Sequence, residues 1–317
     1  MSKKEKKSGP SGWLVINKSA GVSSFAATNA ARRLTGAAKA GHGGTLDPFA
    51  EGVLPVALGE ATKTLAVALN GDKKYRCWIR FGRETDTGDR EGAVTAENDR
   101  RPDAETLAQA LPHFCGKIEQ VPPVYSALHI AGERAYARAR RGEEVVMPAR
   151  TVTIHHLELK SCTDGLAVLD VHCGKGTYMR ALARDLARHV GALGHLERLL
   201  RTESLGFTMQ EGVSLDQLAE RVAAGHLHTL LLPVDRVLDD IPVLRLSADA
   251  WRRIQNGQAV RVAADHLPAG PVRLLTPEGT FAAIGTLDAV TADANERLCR
   301  PQRLFQTASP DSTAPKA

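Results

Sequence analysis

The sequence lacks several features that mark particular classes of protein. It has five cysteines in 317 residues, and none of them forms a C-x-x-C pair. Scattered cysteines in a chain of this length indicate reduced, mostly buried thiols and a cytoplasmic protein. No stretch approaches the roughly 20 apolar residues that a membrane-spanning helix needs. The charged N-terminus has no apolar run after it, so we expect no signal peptide.

The histidines lack the spacing that is typical of zinc sites. His155 and His156 form one short pair, and His226 and His228 form another. Neither pair sits in a regular pattern with cysteines or carboxylates, which structural and catalytic zinc sites require. We therefore expect no metal ligands.

A large excess of positive charge is also missing. The net charge is +5, and the segment Met1–Pro10, with four lysines and one glutamate, supplies +3 of it. The remaining +2 is weak support for a nucleic-acid partner, so any electrostatic attraction must be local. We expect residues 1–11 to be a disordered basic arm and residues 307–317 to be a polar tail.

The stretch Gly41–Lys63 is rich in glycine, and one of its carboxylates, Asp47, lies in a rigid position before Pro48. Glycine permits unusual backbone angles, and a residue before proline is restricted to extended or turn geometry. Alone, this Asp-Pro pair is most simply a turn.

The whole stretch carries more information than the dipeptide. Its GHGGTLDP segment, followed by Gly52, Leu54 and GEATK, resembles the signature of bacterial-type TruB-family tRNA pseudouridine-55 synthases. The resemblance implies an α+β pseudouridine-synthase fold, with a central, mostly antiparallel mixed sheet flanked by helices. It implies isomerisation of uridine 55 in the TΨC arm of tRNA to pseudouridine, by base flipping and without a cofactor. It also implies that Asp47 is the catalytic carboxylate and that His42 contacts the RNA.

The segment Lys73–Phe81 alternates between apolar and polar residues, which predicts a strand. Tyr75, near its start, could simply lie at the edge of the core. Its K-x-Y context resembles the family motif, which implies an active-site tyrosine that packs on the target base and transfers a proton.

A second motif, G-T-Y-x-R, opens a helix whose apolar stripe includes Leu182 and Leu186. A cation in the first turn of a helix is disfavoured by the helix dipole, so Arg180 needs a carboxylate partner. The resemblance implies that this partner is Asp47 and that Tyr178 lies in the substrate pocket. It also puts Leu199 on the pocket wall, although Leu199 could equally belong to the core of a helix.

Residues 116–127 match a further block of the family, and the resemblance implies an RNA-clasping segment over about residues 120–150. Within it, ERAYARARR (residues 133–141) is expected to be a basic helix. Its arginines either grip phosphates or form an ordinary solvated face.

The chain is long enough for one large domain and a small one. We expect a catalytic domain over residues 12–237 and a β-rich, PUA-like RNA-binding domain over residues 238–306. The resemblance implies a monomer that needs neither guide RNA nor a protein partner. Two other functions stay open: a non-catalytic RNA-binding or RNA-folding protein, and a guide-RNA-dependent synthase. Whether Asp47 attacks C6 or C1′, or assists elimination through C2′, also stays open.

Overall fold

The computed structural model describes residues 9–126, 128–130, 132–134, 138, 141–143, 145–289 and 296–306. The expected polar tail at residues 307–317 lies outside the described residues, and so do the first eight residues of the expected basic arm.

The strands and helices are named here in chain order. The strands are β1 Gly12–Lys18, β2 Ala40–His42, β3 Glu51–Leu58, β4 Lys73–Phe81, β5 Arg83–Thr85, β6 Val94–Glu97, β7 Gly116–Gln120, β8 His129–Ile130, β9 Glu133–Arg134, β10 Arg150–Thr163, β11 Leu166–Cys173, β12 Gly194–Ser204, β13 Phe207–Thr208, β14 Val243–Arg245, β15 Val260–Val262, β16 Gly270–Leu275, β17 Phe281–Leu287 and β18 Arg297–Leu304. The helices are α1 Ser24–Thr35, α2 Leu65–Ala68, α3 Ala104–Ala110, α4 Met179–His189, α5 Leu215–Ala223 and α6 Ala248–Gln255, and short 3-10 helices cover Gly59–Thr64, Leu111–Phe114, Met209–Glu211 and Leu227–Thr229.

A large mixed sheet forms the centre of the molecule. Its strand order is β1-β3-β12-β4-β11-β10-β7, with β2 paired to β3 and β13 paired to β12. Among these described strands, β3 and β12 run parallel and every other pair is antiparallel. The expected central, mostly antiparallel mixed sheet is confirmed.

The main core lies on one face of this sheet. The alternating residues of β4 put Tyr75, Cys77, Ile79 and Phe81 on that face, against an apolar cluster that includes α3 and α4. The opposite, outer face of β4 carries polar contacts, such as the Arg76 guanidinium 2.7 Å from the Asp170 carboxylate. The strand that the alternation predicts therefore has the predicted bounds and the predicted buried face.

The first helix also follows the signals in the sequence. The Ser23 hydroxyl accepts a hydrogen bond from the Ala26 N–H at the start of α1, and Gly36 ends the helix in the left-handed conformation. These are the usual N-cap and C-cap residues of α-helices.

Two local predictions are wrong. The basic helix expected over residues 133–141 is wrong at its start, where Glu133–Arg134 forms the short strand β9, paired with β8; Arg138 is helical, and most of the other residues of that segment lie outside the described ones. The segment around Leu199 is a strand and not the core of a helix, since β12 spans Gly194–Ser204 and pairs with β4. Strand pairing overrides helix propensity at both places, within a local hairpin for β9 and within the large sheet for β12.

A second, smaller sheet follows in the order β14-β16-β17-β18-β15 and has its own apolar cluster with α6. It contacts the first part of the chain through Ile284 and Phe305, which pack with Leu238 and Val67. The expected β-rich C-terminal unit is confirmed as a fold. In the described part of the chain, no helix combines the length and apolar character needed to cross a membrane.

The parallel pairing of β3 with β12 depends on Gly52, which lies opposite Arg201 at a φ of 103°. A Cβ at this position would lie 2.2 Å from the Arg201 carbonyl oxygen. We expect Gly52→Ala to lower the free energy of unfolding by about 3 kcal/mol, because backbone strain and crowding add together.

Gly21 provides a matched control, because it also has a positive φ, of 80°, but nothing lies within 4 Å of its missing Cβ. Gly21→Ala should lower the free energy of unfolding by only about 1 kcal/mol, because the backbone strain is present there without the crowding. Urea unfolding of both variants measures the difference. Equal losses would show that the close approach of β3 and β12 is not what requires glycine.

Candidate active site

The loop between β2 and β3 holds Asp47 in place through its backbone. The Ser24 hydroxyl, at the start of α1, donates to the Leu46 carbonyl and accepts from the Leu46 N–H, both at 2.8 Å. Leu46 and Phe49 are buried in the main core. The Asp47 side chain remains 33% exposed. The loop is thus anchored on both sides of a carboxylate that solvent or a substrate can reach.

Lys18 holds Pro48, the residue that follows Asp47 in the loop, through a hydrogen bond. Its side chain is buried, and Nζ donates to the carbonyl oxygens of Ser19, Val22 and Pro48 at 3.0, 2.7 and 3.1 Å. Burial lowers the pKa of Lys18 to about 8, and the nearby charge of Asp47 opposes that shift. This ammonium group therefore lies close enough to the Asp47 carboxylate for the two charges to attract each other.

Arg201 supports the loop from β12. It is 1% exposed, and its guanidinium donates to the carbonyl oxygens of Gly44, Thr45 and Val53 at 3.1, 3.3 and 2.7 Å. Burial lowers its pKa, while Tyr75 and Asp47 act in the opposite direction. Planar guanidinium groups suit several acceptors at once, which explains an arginine at this position.

Arg180 reaches Asp47 from α4, 133 residues further along the chain. Its Nη2 donates to Asp47 Oδ1 at 3.2 Å, and its Nε lies 2.9 Å from Oδ2 without pointing its N–H at that oxygen. The pairing that the sequence predicts is therefore present as one hydrogen bond within an ion pair. Arg180 is 5% exposed, so water screens this pair weakly.

Further acceptors hold the Arg180 guanidinium in one orientation. Its Nη1 donates to the Thr87 carbonyl at 2.8 Å, and its Nη2 donates to the Tyr125 carbonyl at 2.9 Å. A second buried carboxylate, Asp89 Oδ2, lies 3.7 Å from Nη1. Arg180 is thus shared between two carboxylates and fixed by two backbone carbonyls, which leaves it little rotational freedom.

Tyr75 lies beside Arg201, its partner in the register of β4 and β12. Burial raises the pKa of Tyr75 to about 12, although the positive charge of Arg201 and a hydrogen bond to it act against that shift. The phenol is therefore neutral across the physiological pH range. A neutral phenol can donate a proton or a hydrogen bond, and it is a weak base.

His42 lies at the end of β2, opposite Val56. Burial and the charge of Arg201 both lower its pKa, so its imidazole is neutral at pH 7. Its Nδ1 is buried and has no hydrogen-bond partner among the described residues. A neutral ring with a free nitrogen can stack on a base or bond to one.

Tyr178 is the residue that precedes α4, two positions before Arg180. Its N–H donates to the side-chain oxygen of Gln120 at 3.0 Å, and the guanidinium of Arg150 lies 6.0 Å from the centre of its ring. Burial raises its pKa, and the charge of Arg150 opposes the shift. These contacts attach Tyr178 to the start and the end of the segment that the sequence predicts to clasp RNA.

Leu199 lies in β12 opposite Cys77 and is buried in the same cluster as Leu46 and Phe49. Tyr75 packs against that cluster as well. The structure therefore joins Asp47 to Arg180 directly, and it packs Tyr75 and Leu199 in the apolar cluster that also holds Leu46 and Phe49, on either side of Asp47 in the chain.

Sequence reasoning missed three residues of this site: Lys18, Asp89 and Arg201. A signal existed for Arg201, because it lies two residues after Leu199 in a strand and hence on the same, inward face. Charged residues at inward positions are rare unless they are paired. Asp89 lies in a polar loop with several acidic neighbours, and nothing in its sequence context distinguishes it.

Two arginines of the predicted clasp, Arg138 and Arg141, form ion pairs within the clasp itself. Arg138 Nε lies 2.8 Å from Glu143, and Arg141 contacts both Glu133 at 2.6 Å and Glu143 at 2.7 Å. All of these side chains are partly exposed, so each pair contributes little stability. Phosphate groups could replace the glutamates at small cost.

Two family models match this chain. The model for the N-terminal domain of TruB family pseudouridylate synthases matches residues 32–179, which include Asp47 and Tyr75. The model for the C-terminal part of pseudouridine synthase II TruB matches residues 242–305, which contain the smaller sheet.

Similar proteins extend the match to most of the chain. A protein of Zymomonas mobilis named tRNA pseudouridine synthase B is 47% identical over 78% of this chain and 83% of its own length. A protein of the same name from Caulobacter vibrioides is 40% identical over 96% of this chain and 99% of its own length. In a solved structure of an H/ACA RNP bound to a substrate RNA containing 2′-deoxyuridine, one protein has the same fold. The superposition covers 93% of this chain and 85% of that protein, with a TM-score of 0.72 and 20% sequence identity. On sequence and fold together, the chain belongs to the TruB family of pseudouridylate synthases.

Proposed function

We propose that this protein isomerises uridine 55 in the TΨC arm of tRNA to pseudouridine, with Asp47 as the nucleophile. The observation that carries the proposal is the ion pair of Asp47 with the buried Arg180, at the edge of an accessible apolar site. Relatives over most of the chain are named tRNA pseudouridine synthase B, which supports the same substrate here.

The reaction transfers no chemical group between the tRNA and another molecule. The C1′–N1 bond of uridine breaks, the uracil turns, and a C1′–C5 bond forms. The proton on C5 is lost and N1 gains one, so substrate and product are isomers and no electron acceptor or donor takes part. The protein must therefore bind the base, orient it and move one proton. The residues of the site are suited to these tasks, and the proposal requires no cofactor.

The target base must leave its stack before it can reach Asp47. Extruding a stacked base costs a few kcal/mol, which the protein has to recover through new contacts. We assign this task to His42, whose neutral ring can take the place of the extruded base. Leu199 and Tyr178 then enclose the base. Excluding water there strengthens the attraction between the Arg180 guanidinium and the Asp47 carboxylate.

Tyr75 has the proton-transfer role in this proposal. Because its pKa is raised to about 12, it enters the reaction as a neutral phenol. It packs beside the base and donates its phenolic proton to N1; the resulting phenolate then takes the proton from C5, so that Tyr75 ends the reaction as a phenol again. The charge of Arg201 next to it would stabilise any phenolate that forms in that step.

Three buried cations supply the local positive charge that binding of RNA needs in a chain of modest net charge. Lys18, Arg180 and Arg201 are each at most 5% exposed, and all three surround the loop of Asp47. Their combined charge would attract the phosphates that flank the target nucleotide.

The remaining parts of the chain would bind RNA away from the target base. We assign phosphate contacts to the clasp over residues 120–150, where Arg138 and Arg141 can exchange their glutamate partners for phosphates. The smaller sheet, within residues 238–306, would act as a PUA-like module on the tRNA. We further propose that the protein works in the cytoplasm. We also propose that it acts as a monomer and without guide RNA, because all the residues assigned to the site come from one chain.

The experiment that tests the proposal is to map pseudouridine in unmodified tRNA after incubation with the purified protein alone. Asp47→Asn should abolish the product, because the amide is neutral and a poor nucleophile, while the Kd for tRNA stays within a few-fold. A matched control is Glu51→Gln, which removes a nearby exposed carboxylate that pairs with Arg198 at 3.1 Å. This control should keep the wild-type rate.

Turnover by Asp47→Asn, with deamidation excluded by mass spectrometry, would refute the nucleophile. No product from the wild-type protein alone would favour a guide-RNA-dependent synthase or a protein that only binds RNA.

Tyr75→Phe tests the ionisation state of the phenol. We expect kcat to fall by about 100-fold, a typical loss for a positioned proton-transfer group. The ratio of wild-type to variant kcat should be constant from about pH 6 to about pH 9, since a group with a pKa of about 12 stays protonated throughout. Single-turnover rates across this range measure the ratio. A ratio that rises about tenfold per pH unit would mean that the phenolate, and not the phenol, enters the reaction.

A further inference from the structure

A cluster of metal-ligating side chains lies outside the active site. Asp72 precedes β4, His155 lies in β10 and His172 lies in β11, and their ligand atoms all lie within 4.8 Å of one another. Nε2 of His155 is 3.3 Å from Asp72 Oδ2, and Nε2 of His172 is 3.2 Å from the same oxygen. The sequence could not show this set, because its members come from three separate segments.

The backbone fixes all three positions. The Asp72 carbonyl accepts a hydrogen bond from the Leu205 N–H at 3.0 Å. The strand pairing of β10 with β11 is irregular between Ile154 and His156, and this irregularity falls at His155. The two imidazoles lie with their ring centres 4.8 Å apart. The cluster is therefore part of the sheet and does not depend on long flexible side chains.

The geometry suits a divalent transition metal. Zinc bonds of about 2.0–2.1 Å in a tetrahedral site put neighbouring ligand atoms about 3.3 Å apart. The two contacts of Asp72 Oδ2, at 3.3 Å to His155 and 3.2 Å to His172, have this length. Two imidazoles and one carboxylate are also ligands that zinc accepts, with a water molecule at the fourth position.

The charges around the cluster permit a cation. In the described part of the chain, Asp72 forms no ion pair with a lysine or arginine. The lysines nearby have other partners: Lys74 contacts Glu203 at 2.8 Å, Lys175 donates to the Asn70 side chain at 2.8 Å, and Lys73 donates to the Gly71 carbonyl. Within the described residues, the Asp72 carboxylate thus has His155 and His172 as its ion-pair partners.

We propose that Asp72, His155 and His172 form a zinc site on the outer face of the large sheet. His172 pairs with Lys74 in the register of β11 and β4, whereas Val171 pairs with Tyr75. Since neighbouring strand residues point to opposite faces, the site and Tyr75 lie on opposite sides of the sheet. Zinc there would link β10, β11 and the start of β4, and it would take no part in the chemistry at Asp47.

The test uses the full-length protein without an affinity tag, freed of metal by a chelator. Zinc is titrated in competition with a chromophoric chelator, for wild type and for Asp72→Asn, His155→Gln and His172→Gln. The control is His156→Gln, an exposed neighbour that is not in the cluster. We expect one zinc equivalent for wild type and the control, and an affinity at least about tenfold weaker for each of the three variants.

A second readout separates lost ligands from lost structure. All three cluster side chains are at least one-third exposed, so the thermal midpoint in the presence of chelator should be nearly the same for all variants. Zinc should raise that midpoint for wild type and His156→Gln only. The proposal is overturned if wild type binds no zinc, if the three variants bind it like wild type, or if His156→Gln loses it equally. Each readout is metal binding or stability, so the result does not depend on the proposed activity.

Discussion

The ion pair between Arg180 and Asp47 is the interaction on which the site depends. It joins a glycine-rich loop near the start of the chain to a helix 133 residues later. A buried guanidinium needs partners for its charge and its donors: Arg180 donates from Nη1 and Nη2 to Asp47 and two backbone carbonyls, and Asp89 is a second carboxylate nearby. Loss of one carboxylate would leave a partly uncompensated charge in a buried place. The same contacts that stabilise the arginine therefore fix the orientation of the proposed nucleophile.

The loop of Asp47 is held by cations whose partners are mostly carbonyl groups. Lys18 and Arg201 are almost completely buried, and together they donate to six backbone carbonyl oxygens. Because neutral carbonyls satisfy the donors without cancelling the charge, the loop lies in a positive field. Such a field attracts RNA phosphates, although the chain as a whole carries a net charge of only +5.

Much of this arrangement can be predicted from the sequence, for identifiable reasons. The alternation over Lys73–Phe81 gives both the strand and its buried face, and the dipole argument gives Arg180 a carboxylate partner. The helix predicted over residues 133–141 is wrong at its start because Glu133–Arg134 pairs with another short strand, an interaction that the helix propensity of the segment does not contain. Asp89 and the cluster of Asp72, His155 and His172 depend on tertiary contacts between distant segments, so no local spacing could reveal them.

The central claim is that the Arg180 guanidinium, and not merely its charge, activates Asp47. Arg180→Lys keeps the charge but loses the planar group that reaches Asp47 and the Thr87 and Tyr125 carbonyls together. Arg184→Lys, on the same helix and paired with Asp185, is the matched control. We predict that the single-turnover rate of pseudouridine formation falls by about 100-fold in Arg180→Lys, with tRNA binding within a few-fold of wild type, and is unchanged in the control. A wild-type rate in Arg180→Lys would contradict the account.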